Sequence, residues 1–183
     1  MDMEGFSGMD GRTTIFDYWG VRSLQAWADK GKFDGAGLDD EQRQLRRFYS
    51  RLLTLARDNK AISSGKMYDL EYAQTYNFNK HEQYAYLRKA GDEILLIALN
   101  FDDRQVDMHI NIPVDAFVYL EQEEILRAEA VDLLTDMVYT HLTFTSSEPT
   151  CITLPAWKGA ILRITPTEVH KNSPHKTKKT CKK

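Results

Sequence analysis

Apolar side chains in residues 40–58 recur three and four positions apart, which is the spacing of one helix face. The pattern predicts a helix from about Asp40 to Asp58, with Asp39 placed to cap its first turn. Together with Leu55, the apolar positions span an arc of about 160°. They are Leu45, Phe48, Tyr49, Leu52, Leu53 and Ala56. An isolated helix of this length is marginal in water, so this face needs a partner.

A shorter helix is predicted immediately upstream, from Ser23 to Lys30. The Ser23 hydroxyl is placed to accept a hydrogen bond from the first turn, and Gly31 is placed to end the helix. The first third of the chain is therefore predicted to be helical.

From about residue 66 the apolar period changes from 3.6 to about two, which is typical of strands. The stretch Glu93–Asn100 is apolar on both faces, as expected of a central strand that is covered on both sides. Val106–Ile112 alternates with polar residues and is ended by Pro113. Further strands are predicted at Tyr84–Arg88, Ala128–Leu134, Met137–Phe144, Thr150–Leu154 and Gly159–Thr165. Short strands joined by tight turns predict an antiparallel β-sandwich.

The change of period predicts a domain boundary near Ala61–Lys66. We expect a helical segment in residues 1–62, a sandwich in residues 63–166 and a disordered basic tail in residues 167–183. The tail holds six lysines and one glutamate, a net charge of +5, which leaves −8 on residues 1–166. An acidic folded part would repel phosphate backbones, so no nucleic-acid partner is predicted.

Four stretches of the chain, taken in order, carry a resemblance to a known family. They are Gly11–Gly35 (GRTTIFDYW, SLQAW, GKFDG), Gln44–Ile62 with Gly65, Tyr84–Pro113 (with EILLIALNF) and Leu154–Ile164. Together they resemble the C-terminal region of α-amylase family enzymes (glycoside hydrolase family 13). The first is similar to the loop and helix after the eighth barrel strand, and the second to the last barrel helix. The third and fourth are similar to the opening and closing strands of the C-terminal β-domain.

The resemblance implies a mainly β fold, an antiparallel sandwich of the amylase C-terminal-domain type, preceded by a helical remnant of a (β/α)8 barrel. It also implies that the nucleophile and the general acid, which lie at barrel strand ends, precede this segment. No catalytic residue is assigned, and Asp17 and Asp34 are interpreted as turn or capping residues. The expected function is that of a structural domain in an enzyme acting on α-glucans, inactive when alone, whose partner is the catalytic barrel.

Two concentrations of aromatic residues are candidates for contact with sugar rings. Phe16, Tyr18 and Trp19 would lie near the active face if the barrel were present. The second group comprises Tyr68, Tyr72, Tyr76, Phe78, Tyr84 and Tyr86. The alternative interpretation is that these side chains fill the helix–sandwich interface or the faces of the sheets. The alternative functions are a non-catalytic carbohydrate-binding module and a self-associating module that pairs through the apolar helix face.

Cys151 is predicted to be a small buried hydrophobe, and Cys181 a free thiol in the tail, with a disulfide between them as the lesser alternative. His81, His109 and His141 lack metal-ligand spacing, so no metal and no cofactor are predicted. No apolar run is long enough to span a bilayer, so no membrane contact is expected. The N-terminus lacks a signal-peptide pattern; we expect a cytoplasmic protein if that start is natural, and a secreted or periplasmic location is open for a full-length parent.

Overall fold

The computed structural model describes residues 22–75 and 77–169, with side chains through residue 167. The chain divides into two compact units between Thr54 and Leu55. The helices and 3-10 turns are α1 (Arg22–Ala28), a 3-10 turn (Asp29–Gly31), α2 (Asp40–Asp58), α3 (Lys60–Ser63), a 3-10 turn (Glu71–Ala73) and α4 (Val114–Leu120).

The predicted capping of α2 is confirmed, and that of α1 is wrong. The backbone N–H of Gln42 donates to Asp39 Oδ1 at 2.8 Å, and the N–H of Asp39 donates back to Gln42 Oε1 at 3.1 Å. This reciprocal pair satisfies two otherwise unpaired donors of the helix start. Ser23 is the second residue of α1 and therefore lies within the helix it was predicted to cap. Gly31, with φ of 92°, is the last residue of the 3-10 turn and ends the helical segment as predicted.

Eight strands lie within the described residues and form two antiparallel sheets. The larger sheet has six strands in the order β1-β2-β3-β8-β5-β6, and the smaller one pairs β4 with β7. The strands are β1 (Lys66–Asp69), β2 (Gln83–Ala90), β3 (Glu93–Asn100), β4 (Val106–Ile110), β5 (Ile125–Asp132), β6 (Val138–Phe144), β7 (Thr150–Leu154) and β8 (Gly159–Val169). The predicted fold class, a mainly antiparallel β-sandwich with a helical segment before it, is confirmed.

One apolar cluster fills the space between the two sheets, with α4 contributing to it. The inner face of β3 supplies Leu96, whose cross-strand partner is Leu162 of β8. From the opposite layer come Met108 of β4 and Ile152 of β7, and α4 adds Phe117. Burial of these side chains is the main favourable term for the sandwich.

The outer face of the six-stranded sheet is also apolar at its centre. Leu95 and Ile97 of β3 are buried although they point away from the inner cluster. The short helix α3 contacts β2 and β3, and Arg88 of β2 holds it in place. The Arg88 guanidinium donates to the carbonyl oxygens of Ala61 (2.7 Å) and Gly65 (3.0 Å). Arg88 therefore satisfies carbonyl groups at the end of α3 and ties the helical end to the sheet.

Helix α4 was not predicted, because its seven residues are rich in β-branched and aromatic side chains that favour strands. It begins after Pro113 and ends at Glu121, which adopts a left-handed backbone with φ of 52°. Lys66 Nζ donates to the Tyr119 carbonyl at 3.1 Å, and Lys89 Nζ donates to the Glu121 carbonyl at 2.7 Å. Two cations at the C-terminal end of a helix stabilise its dipole and satisfy its free carbonyl groups.

Cys151 is exposed, so the prediction that it is buried is wrong. Along β7, Thr150, Ile152 and Leu154 point inward, and the two residues between them point outward. The apolar character of cysteine favours burial, but the alternation of β7 turns the Cys151 side chain outward. Cys181 lies outside the described residues.

Asp34 accepts a hydrogen bond from the Ala36 N–H at 2.9 Å, which confirms its predicted turn role.

We expect Gly65→Ala to lower the free energy of unfolding by about 2–3 kcal/mol, because a methyl group there overlaps backbone atoms that cannot move freely. A Cβ at this position would lie 2.5 Å from the Ala61 oxygen and 2.6 Å from the Lys89 oxygen. Gly91→Ala is the control, since Gly91 has open space but a φ of 57°; it should cost about 1 kcal/mol. Urea unfolding measures both, and an equal or smaller loss for Gly65→Ala would contradict the close approach.

Candidate functional site

The predicted sugar-contacting residues Phe16, Tyr18 and Trp19 lie outside the described residues, as do Asp17 and Tyr76, so their roles stay predictions. The other members of the second aromatic group separate into three places. Phe78 is buried in the inner core, as the alternative interpretation expected. Tyr84 and Tyr86 stand on the outer face of β2, with ring centroids 5.6 Å apart.

Tyr68 and Tyr72 line an open pocket of about 480 Å³ together with Tyr119, and we call this the tyrosine pocket. Its other lining residues are Met67, Asp69, Glu71 and Lys80. Tyr119 was missed at the sequence level because it comes from α4, far along the chain. No local signal places that residue beside β1; the docking of α4 does so.

Contacts between the rings fix the geometry of the tyrosine pocket. The Tyr68 ring lies 6.3 Å from the Tyr72 ring and 5.7 Å from the Tyr119 ring, centroid to centroid, with both pairs tilted. The hydroxyl groups of Tyr68 and Tyr72 are hydrogen-bonded at 2.6 Å. Tyr68 is half-buried and packs on the inner core, whereas Tyr72 and Tyr119 are 62% and 50% exposed. One anchored ring therefore holds two rings that face water.

Burial raises the pKa of Tyr68 to about 12, and the hydrogen bond with Tyr72 adds to the effect. A buried phenolate loses hydration, so the neutral form is favoured. Burial likewise raises the pKa of Tyr84, with a contribution from the nearby Asp69 carboxylate.

Carboxylates of the described residues that are buried serve the fold. Asp132 accepts hydrogen bonds from the Thr135 hydroxyl at 2.6 Å and from the Ile161 N–H at 3.0 Å, which closes the turn after β5 against β8. Asp102 accepts from the N–H and guanidinium of Arg104, and these hydrogen bonds hold its pKa below the usual value. Asp69 and Glu71 share the tyrosine pocket, but Asp69 Oδ1 accepts the Glu71 N–H at 2.8 Å and so closes a turn.

His109 and Cys151 face each other across the small sheet, with Nδ1 and Sγ 3.5 Å apart. Although Cys151 is exposed, partial desolvation by its neighbours raises the pKa of the thiol, and the Asp107 carboxylate adds to this. A raised pKa keeps the thiol protonated at neutral pH, which is the reverse of an activated nucleophile. Within residues 22–75 and 77–169, no group of three or more His, Cys, Asp and Glu side chains is placed to hold a metal ion.

The apolar face of α2 is the second candidate surface. Its side chains are largely exposed, with Leu45 at 59% and Leu53 at 65%, and Phe48 and Tyr49 are exposed as well. Not one residue of this 19-residue helix is buried. An exposed contiguous apolar face of this kind marks a surface for interaction. None of the helices in the described part of the chain is long and apolar enough to cross a membrane.

Comparison with known proteins gives matches at the level of structure. No family model and no curated protein matches the sequence. The crystal structure of AmyP in complex with maltose aligns with a TM-score of 0.51 and 19% identity, over 86% of this chain and 30% of the AmyP chain. An AmyP variant in complex with maltotriose aligns with a TM-score of 0.52 and 19% identity, over 88% and 31% of the two chains. The α-amylase from Geobacillus thermoleovorans, complexed with acarbose, aligns with a TM-score of 0.49 and 13% identity, over 70% of this chain and 24% of the amylase chain.

The two AmyP alignments show a likeness of fold. The chain spans less than a third of the length of the AmyP chains it matches, so most of AmyP has no counterpart here. The fold of this chain is therefore also found as one part of a larger protein.

We expect the alkaline stability of the chain to depend on Tyr68. An unfolded tyrosine has a pKa of about 10, so between pH 10 and about 12 the unfolded state loses this proton while the folded state keeps it. The contribution is fully present below pH 10 and is lost as pH rises towards 12. In urea unfolding at about pH 9 and about pH 11, Tyr68→Phe should lose less stability with pH than the wild type.

Tyr49→Phe, which changes an exposed tyrosine of α2, serves as the control and should keep the wild-type dependence. Equal losses for the wild type and Tyr68→Phe would contradict a raised pKa of the half-buried, hydrogen-bonded Tyr68.

Proposed function

We propose that this chain is the C-terminal region of an α-amylase-type glycoside hydrolase, a structural β-domain with a helical lead-in from the end of a catalytic barrel. The observation that carries the proposal is the alignment with AmyP, which takes in 86% of this chain and 30% of AmyP. The motifs GRTTIFDYW, EILLIALNF and LPAWKGAILRI, in that order, support the same family. The proposed segments are residues 1–62, 63–166 and 167–183.

The proposed partner is a catalytic barrel that covers the apolar face of α2. A helix of this length with no buried residue is marginal by itself in water. Covering Leu45 and Leu53 alone would contribute about 1.5–3 kcal/mol each. If α2 is the last helix of the barrel, its docking would stabilise the barrel by the same free energy. The barrel and this chain would then stabilise each other.

The placement of the acids supports a structural role without catalysis. Retaining glycosidases need two carboxyl groups about 5–5.5 Å apart on either side of the glycosidic bond. In the described residues, Asp102 and Asp132 are engaged in structural hydrogen bonds, and Asp69 closes a turn. The substrate of the parent enzyme is proposed to be an α-glucan of the starch type.

We expect no release of reducing ends when the purified chain is incubated with starch, maltodextrin or pullulan. The sharpest control is the double variant Asp69→Asn/Glu71→Gln, because these two carboxylates share a pocket. A reducing-sugar assay on both proteins is the measurement. Turnover by the wild type that the double variant abolishes would overturn the proposed structural role and place catalysis in the tyrosine pocket.

The exposed apolar face of α2 also favours a second candidate function, self-association of two copies. Sedimentation of the wild type and of Leu45→Gln/Leu53→Gln distinguishes the two cases. Under the proposed function both proteins are monomers at micromolar concentration. A wild-type dimer that the double variant converts to monomer would favour self-association instead.

A further inference from the structure

The outward face of the small sheet carries two polar cross-strand pairs. The alternate residues of β4 and β7 are buried in the core, so Asp107, His109, Cys151 and Thr153 face away from it. The register pairs Asp107 with Thr153 and His109 with Cys151. The Thr153 hydroxyl donates to Asp107 Oδ1 at 2.6 Å, which gives the first pair an ordinary structural role. The second pair brings an imidazole to a thiol that is exposed to solvent.

The distance between Cys151 Sγ and His109 Nδ1 is that of two ligands on one zinc ion. Zinc binds a cysteine sulfur at about 2.3 Å and a histidine nitrogen at about 2.0–2.1 Å, in tetrahedral geometry. At the tetrahedral angle these bond lengths place the sulfur and the nitrogen about 3.5 Å apart. The observed separation is 3.5 Å. Both atoms can therefore bind the same ion without a change in their separation.

We propose that Cys151 and His109 bind Zn²⁺ on the outward face of the small sheet. Thiolate sulfur and imidazole nitrogen are ligands that zinc prefers, whereas Mg²⁺ and Ca²⁺ take oxygen ligands. Binding displaces the thiol proton to water, and His109 binds through the lone pair of its neutral ring. Since zinc takes four ligands, the two remaining positions are left to water or to a neighbouring side chain.

The surroundings of Cys151 favour a cation. Cys151 lines a pocket of about 320 Å³ together with His141 and Glu148, whose imidazole and carboxylate groups are further possible zinc ligands. Among the described residues that line this pocket there is no lysine or arginine. The Asp107 carboxylate acts on Cys151 through its negative charge, and the same charge attracts a metal ion.

Two other interpretations explain the contact less well. A thiol–imidazole hydrogen bond is weak because a thiol is a weak donor, and an exposed pair can bond to water instead. The Cys151 thiol also has a second acceptor, the Pro149 carbonyl oxygen at 3.7 Å. A linear two-coordinate ion would hold sulfur and nitrogen at the sum of two bond lengths, which is longer than the observed separation. The geometry therefore favours a tetrahedral ion.

A bound ion would join two strands that form a sheet of their own. In the described residues, β4 pairs with β7 alone, and a two-stranded sheet is marginally stable by itself. An ion that bridges cross-strand partners binds the folded state and stabilises it by mass action. Because 42 residues separate the two side chains in sequence, ligand spacing along the chain does not predict the pair.

The test is titration of the full chain with Co²⁺, which binds at zinc sites and gives a thiolate-to-metal charge-transfer band in the near ultraviolet. Cys181→Ser is the parent of every variant, because Cys151 is then the only thiol in the chain. We expect the band to saturate with a Kd on the order of 10 µM and Zn²⁺ to abolish it, since zinc binds such sites more tightly than cobalt. Cys151→Ser should remove the band, and His109→Ala should raise the Kd by about tenfold or more.

His81→Ala is the matched control, because His81 is an exposed histidine that does not line the pocket beside Cys151. Its Kd should stay within about twofold of the parent. Circular dichroism confirms that each variant is folded. In urea unfolding, Zn²⁺ should raise the midpoint of the parent by more than that of Cys151→Ser, because the site is formed only in the folded state.

Three outcomes overturn the proposal. The first is the absence of a charge-transfer band in the parent at about 1 mM Co²⁺. The second is a Kd for His109→Ala within about twofold of the parent, which would assign the binding to Cys151 with other ligands, such as His170 and His175 of the tail. The third is displacement of Co²⁺ by an equal concentration of Ca²⁺, which would indicate a carboxylate site.

This inference stands on the small sheet and does not rest on the proposed function. A chain that binds Zn²⁺ and hydrolyses no glucan keeps both proposals. A chain that binds no Zn²⁺ and hydrolyses no glucan loses only the metal site. Hydrolysis that depends on Asp69 and Glu71 overturns the structural role and leaves the metal site unaffected.

Discussion

The structure depends on a central strand that is apolar on both faces. β3 buries Ile94, Leu96 and Ala98 against the inner core and Leu95 and Ile97 on the other side. A strand of this kind is stable only where both sides of the sheet are covered. The inner side is covered within the sandwich by β4, β7 and α4. On the outer side, α3 is held against β2 by the Arg88 guanidinium.

This constraint links the helical segment to the sandwich along the chain. α3 follows α2 after one residue, Asn59, whose side chain caps α3 and also donates to Glu93 at the start of β3. Gly65 then brings the chain within contact of both Ala61 and Lys89, where no Cβ fits. The path from α3 into β1 is therefore fixed by side-chain hydrogen bonds of Asn59 and Arg88 and by a steric limit at Gly65.

The helix α2 presents the opposite situation. Its polar pattern, capping box and length all favour a helix, and it forms one. Its apolar face nevertheless remains exposed. Because no residue of α2 is buried, no burial of apolar surface offsets the conformational entropy that the helix loses on folding. An uncovered apolar face of this type is expected where a further partner packs on the helix.

The sequence pattern predicted elements whose periodicity is regular and missed features that depend on tertiary contacts. The bounds of β3 and β7 were predicted without error because the apolar runs end at turn residues. β8 runs on to Val169, and β5 starts earlier than predicted, since register shifts near Ala128 disturb the alternation. α4 and the place of Tyr119 in the tyrosine pocket follow from docking on the core. The intrinsic helix propensity of these residues does not predict that docking.

Amide hydrogen exchange of the isolated chain tests the central claim, that α2 needs a partner outside this chain. It should be measured by mass spectrometry at a concentration where sedimentation shows a monomer. The account predicts that amides of residues 44–54 exchange at least roughly a hundredfold faster than those of β3, because local opening of an uncovered helix costs little free energy. Protection of α2 equal to that of β3 in the monomer would show that the helix is stable without a partner and would contradict the account.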